Sequence, residues 1–177
     1  MEKNRRSFLK NSSLITGSLI LPSFSFKKQE QFDKKLKISV VGCGGRGTGA
    51  AVQALRADKN VELVALSDAF EDRLERSLNA IIEEFEGELE IKVKDKNKFI
   101  GFNSYKKAID LADVVILASP PGFRPEHFEY AVNKNKHIFM EKPVATDAAG
   151  VRKILNAAKL VKEKKLNVVV GLQRRYQ

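Results

Sequence analysis

Apolar residues in this chain fall into short runs broken by at most one polar residue, separated by stretches where they recur every three or four positions. The clearest runs are Ile38-Ser39-Val40-Val41, Val61-Glu62-Leu63-Val64-Ala65-Leu66, Val114-Val115-Ile116-Leu117 and Val168-Val169-Val170. Continuous β-branched runs of this length suit strands buried on both faces, as in a parallel sheet covered by helices. They predict strands at 37–41, at 61–66 running on into Ser67-Asp68, at 114–118 and at 168–170, with shorter ones at 99–102 and 136–140. Helical spacing predicts helices over 48–57, with Ala51, Val52 and Leu55 on one side, and over 70–85, through Leu74, Leu78, Ile81, Ile82 and Phe85. Shorter helical stretches are expected at 105–111 and 127–133, and a longer one runs from a cap at Thr146-Asp147 to about Lys165. Residues 86–98 are charged and only weakly alternating, so an irregular excursion is expected there. Strand and helix alternate throughout. That pattern predicts an α/β fold, a doubly wound parallel sheet of about six strands.

The turn after the first strand is rich in glycine: Gly42-Cys43-Gly44-Gly45-Arg46-Gly47, with Gly42, Gly44 and Gly47 at the positions of a G-x-G-x-x-G pattern. Each glycine answers a different demand. Gly42 lets the chain turn off the strand, Gly44 lets backbone approach a pyrophosphate, and Gly47 lets the helix pack close to the strand. The helix that follows presents unpaired N–H groups and a positive dipole end to phosphate. Asp68 stands 21 residues past Gly47, at the end of the second strand, where a carboxylate can accept both hydroxyls of an adenosine ribose. It would repel a 2′-phosphate, so the expected cofactor is NAD in preference to NADP, held in a Rossmann fold. Asp68 also precedes a predicted helix, and an N-cap role is the competing reading.

Charge and composition narrow the partners. The 177 residues are 43% hydrophobic and 31% charged, with a net charge of +10. Residues 1–35 hold eight basic and three acidic residues, so half of that excess lies in an N-terminal leader and linker. No basic stripe interleaved with aromatics remains to suggest nucleic acid. The single cysteine, Cys43, leaves no internal disulfide or multi-cysteine metal site, and its place in the turn calls for a small spacer. No metal site is expected. Asn4-Arg5-Arg6-Ser7-Phe8-Leu9-Lys10, followed by a moderately apolar stretch at 13–22, resembles a bacterial twin-arginine export signal. Asn4 replaces the usual hydroxyl residue, and no clean cleavage site follows. The expectation is export, to the periplasm, with membrane contact only through that leader; an ordinary amphipathic N-terminal helix is the plainer alternative.

Two later loops fall at the same sheet edge. Ser119-Pro120-Pro121-Gly122-Phe123-Arg124-Pro125 follows the fourth strand, with His127 opening the next helix, and Glu141-Lys142-Pro143 follows the fifth. Taken with the glycine turn and Asp68, these motifs resemble the Gfo/Idh/MocA oxidoreductases, relatives of glucose–fructose oxidoreductase and inositol dehydrogenase, over residues 36–177. The resemblance implies that Gly42, Gly44, Gly45, Arg46, Gly47, Asp68, Ser119, Pro120, His127, Glu141 and Pro143 contribute to an NAD site, with Lys142 catalytic. In that assignment Arg46 reaches a phosphate, Glu141 touches the nicotinamide ribose, and His127 lies near the nicotinamide edge. Lys142 handles the proton of a sugar or cyclitol hydroxyl as hydride leaves for the nicotinamide; a dry cleft beside the cationic ring would destabilise its ammonium. Pro143 fixes the turn behind it, in cis as in relatives. His137 is read as structural, and Arg174 and Arg175 as lining a domain junction.

Members of that family carry a second, mostly antiparallel domain with substrate residues and commonly a catalytic Asp-x-x-x-His. The present chain is expected to comprise a leader and linker (1–35) and the NAD-binding domain (36–177) without that second domain, which in relatives often mediates homo-oligomers. A carbohydrate-like small molecule is the expected substrate. Two other functions stay open on sequence: an NAD-requiring glycoside hydrolase, against which Lys142 argues mildly, and an NAD-binding module without activity.

Overall fold

The structure, a computed structural model, describes residues 35–85, 91 and 93–172. The export-like motif, residues 86–90, and Arg174 and Arg175 lie outside the described residues. Among the described residues, six strands alternate with five helices: β1 (Leu36–Val41), α1 (Gly45–Ala57), β2 (Val61–Asp68), α2 (Glu71–Glu84), β3 (Lys98–Ile100), α3 (Tyr105–Leu111), β4 (Val114–Leu117), α4 (Arg124–Asn133), β5 (His137–Met140), α5 (Ala148–Glu163) and β6 (Val168–Val170). A single 3₁₀ turn, Asp95–Asn97, precedes β3. All pairings are parallel, in the order β3-β2-β1-β4-β5-β6. The strand order reverses between β1 and β4, and ligands of open parallel sheets bind outside the carboxyl ends of the strands at that point.

The continuous apolar runs are explained by two cores. Ile38, Val40, Leu63, Leu66 and Ile116 pack with Ala51 and Leu55 of α1 and Leu74, Leu78 and Ile81 of α2. On the other face Val41, Val115, Leu117, Ile138 and Met140 pack with Ile109, Phe128, Val132 and Ile154 of α3, α4 and α5. Leu63, Leu66, Leu74, Ile81 and Phe128 are fully buried, each stabilising the fold by about 1.5–3 kcal/mol relative to exposure. Asp147 caps α5 as expected, its carboxylate accepting the Gly150 N–H at 2.6 Å.

Several boundaries shift by a residue or two from the sequence reading, and three of the shifts have a clear local reason. α1 begins at Gly45 rather than residue 48, because the glycine turn is itself the first helical turn: the Thr48 N–H already bonds the Gly44 carbonyl at 3.0 Å. α4 begins at Arg124 rather than His127, taking Pro125 into its first turn, where a missing N–H costs nothing. β3 stops at Ile100 and excludes Phe102, because Gly101 turns the chain at φ +106.

Gly47 packs so closely beneath β1 that a Cβ there would lie 2.0 Å from the Gly42 carbonyl oxygen, whereas one at Gly49 would meet nothing within 4 Å. Gly47→Ala is therefore expected to lower stability by about 2 kcal/mol or more, and Gly49→Ala, inside the same helix, to raise it by roughly 0.5–1 kcal/mol. Urea or thermal unfolding of the two variants checks both signs.

Candidate functional site

A cavity of about 460 Å³ opens at the carboxyl ends of β1, β2 and β4. Its floor is Gly42 and Gly44, one end is Asp68 with Phe70 and Arg73, and the other is Ser119, Pro120, Phe123 and His127. Gly42 takes φ +97, and a Cβ there would strike the Ser119 backbone nitrogen at 2.4 Å; the turn off β1 thus lies against the end of β4. At Gly44 and Gly45 an added Cβ would meet no protein atom within 4 Å. The space above them is a cradle lined by backbone at a helix N-terminus, the geometry that receives a pyrophosphate.

Asp68 is anchored from both sides. Its Oδ2 accepts the Cys43 N–H at 2.7 Å and its Oδ1 accepts the Phe70 N–H at 3.0 Å. The second bond is an Asx turn; the N-cap of α2 is Phe70, so the capping role considered for Asp68 is not the one it takes. The carboxylate is fixed at the cavity edge, with lone pairs left for a ligand's hydroxyls. Cys43 is buried behind it, and burial together with the Asp68 charge pushes its thiol up to about 12. It keeps its proton, as a spacer should.

At the opposite end Ser119 Oγ and His127 Nδ1 are 2.9 Å apart, and both residues are buried. The His127 ring lies 4.1 Å from the Tyr105 ring and stacks near Phe123. Burial lowers its pKa to about 4, the Arg124 cation adding to the effect and the Glu126 carboxylate opposing it. His127 is therefore a neutral imidazole at the cavity wall, suited to hydrogen bonding and stacking rather than to carrying charge.

Glu141, Lys142 and Pro143 take a different position. None of the three lines the cavity. Glu141 is buried and ion-pairs with Arg46, which joins the end of β5 to the glycine turn. Arg46 thus has a carboxylate partner within the domain, and Gly171 leaves room for that carboxylate, since a Cβ there would lie 2.8 Å from Glu141 Oε1. The Lys142–Pro143 peptide is cis. Lys142 is exposed; the dry cleft expected around it is not formed by the described residues, because β5 delivers it to the rim, beyond the cavity wall. His137 is structural, its Nδ1 accepting the Asn167 N–H at 2.9 Å.

Arg124 is the residue that sequence reasoning missed. It is 3% exposed, and its guanidinium donates to the Glu141 carbonyl at 2.6 Å and also to the carbonyls of Pro143 and Ser119. Burial works against its charge and Glu141 works for it. One fork of donors so fastens the loop after β4 to the loop after β5. The only hint in the sequence was a cation directly before a proline at a helix start.

A parallel sheet of this order, with a glycine cradle and an anchored carboxylate at its switch point, defines a Rossmann-type dinucleotide-binding domain. Residues 36–172 match the model of the oxidoreductase family with the NAD-binding Rossmann fold, Gfo/Idh/MocA. The chain belongs to that family. It is 29% identical over 143 residues to inositol 2-dehydrogenase of Salmonella paratyphi B, covering 80% of this chain and 38% of that protein. Glucose-6-phosphate 3-dehydrogenase of Bacillus subtilis is 31% identical over 109 residues, 62% of this chain and 26% of that one. Among solved structures, myo-inositol 2-dehydrogenase from Lactobacillus plantarum superposes with a TM-score of 0.59 at 26% identity, covering 81% of this chain and 38% of that one. The scyllo-inositol dehydrogenase from Lactobacillus casei, solved with NAD(H) and scyllo-inositol, shares the fold at a TM-score of 0.60 and 23% identity, again over 81% and 38%. The chain therefore spans about 38% of the length of the inositol dehydrogenases it matches.

The buried neutral state of His127 has a consequence for stability. The unfolded histidine takes up a proton near pH 6.5 and the folded one only near 4, so its contribution is full above about pH 6.5 and is lost as pH falls toward about 4. Urea midpoints measured across that window should fall more steeply for the native chain than for His127→Gln.

Proposed function

We propose that this domain holds NAD for a dehydrogenase acting on a cyclitol or sugar hydroxyl. The observation that carries the reading is the cavity at the switch point, with a pyrophosphate cradle as its floor and a doubly anchored carboxylate at one end. In this reading the N–H groups at Gly44, Gly45 and Arg46 receive the pyrophosphate, and Gly42 and Gly47 keep the turn low enough to admit it. Asp68 accepts the adenosine ribose hydroxyls, and its charge sets NAD above NADP. Ser119, Pro120 and His127 form the wall at the nicotinamide end. Bound NAD would supply the hydride acceptor. The resemblance to the family assigns Glu141, paired with Arg46, to the nicotinamide ribose, while Pro143 and the carbonyls gripped by Arg124 hold Lys142 at the rim. From there its neutral amine would accept the proton of the substrate hydroxyl as hydride leaves for bound NAD, and the ammonium so formed would stand beside the new carbonyl oxygen. Because Lys142 is exposed on this domain, its drying depends on protein beyond the residues described or on the substrate itself. The Arg5-Arg6 motif supports export by the twin-arginine route, to the periplasm, as the setting for this activity.

The cradle is tested by Gly44→Ala. The added methyl meets no protein atom, so unfolding should be almost unchanged while the NAD dissociation constant, measured by calorimetry, rises by about tenfold or more. Turnover tests the rest. The full-length protein given a panel of inositols and sugars should accumulate NADH, and Lys142→Met should lower kcat by about 10²–10⁴-fold. Free sugar released with no NADH, or a Lys142→Met variant of normal turnover, contradicts the assignment.

A further inference from the structure

We propose that Arg124 is a positioning residue for the dehydrogenase chemistry: it sets the backbone on both sides of Lys142 and ties it to the wall of the dinucleotide cavity. The inference rests on the role given to Lys142 above and adds a residue that acts through it. Glu141 and Pro143 flank Lys142 in the chain, and the carbonyls of both accept from the same nitrogen, Arg124 Nη1, that of Glu141 at 2.6 Å. The other outer nitrogen, Nη2, donates to the Ser119 carbonyl. Ser119 in turn meets His127 Nδ1 through its hydroxyl at 2.9 Å. One guanidinium thus runs from the residue that orients the cavity's imidazole to the residues on either side of the exposed lysine.

The way this cation is buried argues for placement over stability. Its hydrogen bonds go to carbonyls and not to a carboxylate. Its Nε, also buried, has no partner among the described residues. Burial works against the charge, and an unpaired buried donor adds to that cost. An apolar side chain of similar volume would fill the same space at lower free energy. What only a planar fork of donors can do is hold carbonyls of two separate loops in fixed register. A lysine in its place would be a point charge on a flexible stem. The register matters because a proton acceptor has to stand within hydrogen-bond reach of the substrate hydroxyl, and a displacement of about 1 Å there changes the rate by about 10²-fold.

Steady-state kinetics of the full-length protein with NAD and a panel of inositols and sugars test this, with NAD affinity and urea midpoints measured alongside. Arg124→Lys, which keeps the charge, and Arg124→Met, which keeps the bulk, should each lower kcat by about 30-fold or more, with KM and the NAD dissociation constant within about threefold of native. On a Lys142→Met background neither change should slow turnover by more than about twofold, because the residue through which Arg124 acts is already gone. Arg124→Ala leaves room for a free guanidinium ion. Its kcat should rise by about tenfold on adding millimolar guanidinium chloride and not at all on adding sodium chloride. A folded Arg124 variant with kcat within about threefold of native, while Lys142→Met is slow, overturns the proposal. So do losses that multiply in the double variant or that fall equally on NAD affinity. Failure of all the Arg124 variants to fold makes it a residue of the fold alone and also overturns it. Normal turnover by Lys142→Met, or no NADH formed from any member of the panel, overturns the proposed function itself, and the inference with it.

Discussion

A first side-chain carbon at Gly42 would lie 2.4 Å from the Ser119 nitrogen, and one at Gly47 would lie 2.0 Å from the Gly42 carbonyl oxygen. These two contacts press the turn between β1 and α1 against the end of β4, and the rest of the site follows from them. Only with the turn held that low does the first turn of α1 begin at Gly45 and leave open space over Gly44. Only then does the Cys43 N–H come within reach of Asp68, which is carried by the neighbouring strand. Backbone, not side chain, is what the cradle offers an anion.

A second fastening runs across the other half of the edge. Arg124 binds carbonyls of Ser119, Glu141 and Pro143, and Arg46 pairs with Glu141. Through these groups the glycine turn, the loop after β4 and the loop after β5 form one connected rim. Removing a buried partner from such a network leaves its acceptors unsatisfied, which costs more than the bond itself contributes. The arrangement places Lys142 at the rim, where the described residues do not enclose it.

Much of the sheet was legible because its strands carry long apolar runs: β4 and β6 are apolar throughout, and β1 and β2 are interrupted only at Lys37 and Ser39 and at Glu62, Ser67 and Asp68. The glycine spacing and Asp68 were legible for a related reason: each answers a local steric or electrostatic demand that few other residues meet. What escaped was set by contacts far apart in the chain. Arg46 and Glu141 are 95 positions apart, and Arg124 finds backbone carbonyls, which leave no mark on residue type. The helix starts at Gly45 and Arg124 escaped because glycine and proline read as turn residues, although glycine is needed for close packing in the first case and proline is harmless in a first turn in the second. Asp68 as an N-cap failed by two residues, since its Asx turn hands the cap position to Phe70.

The central claim is that the glycine turn and Asp68 act together on one dinucleotide. A crystal structure of the chain grown with saturating NAD(H) tests it most directly. The account predicts the pyrophosphate over Gly44–Arg46, the adenosine ribose hydroxyls on the Asp68 carboxylate and the nicotinamide toward Ser119 and His127. A dinucleotide seated away from the turn, or a ribose that does not touch Asp68, would contradict it.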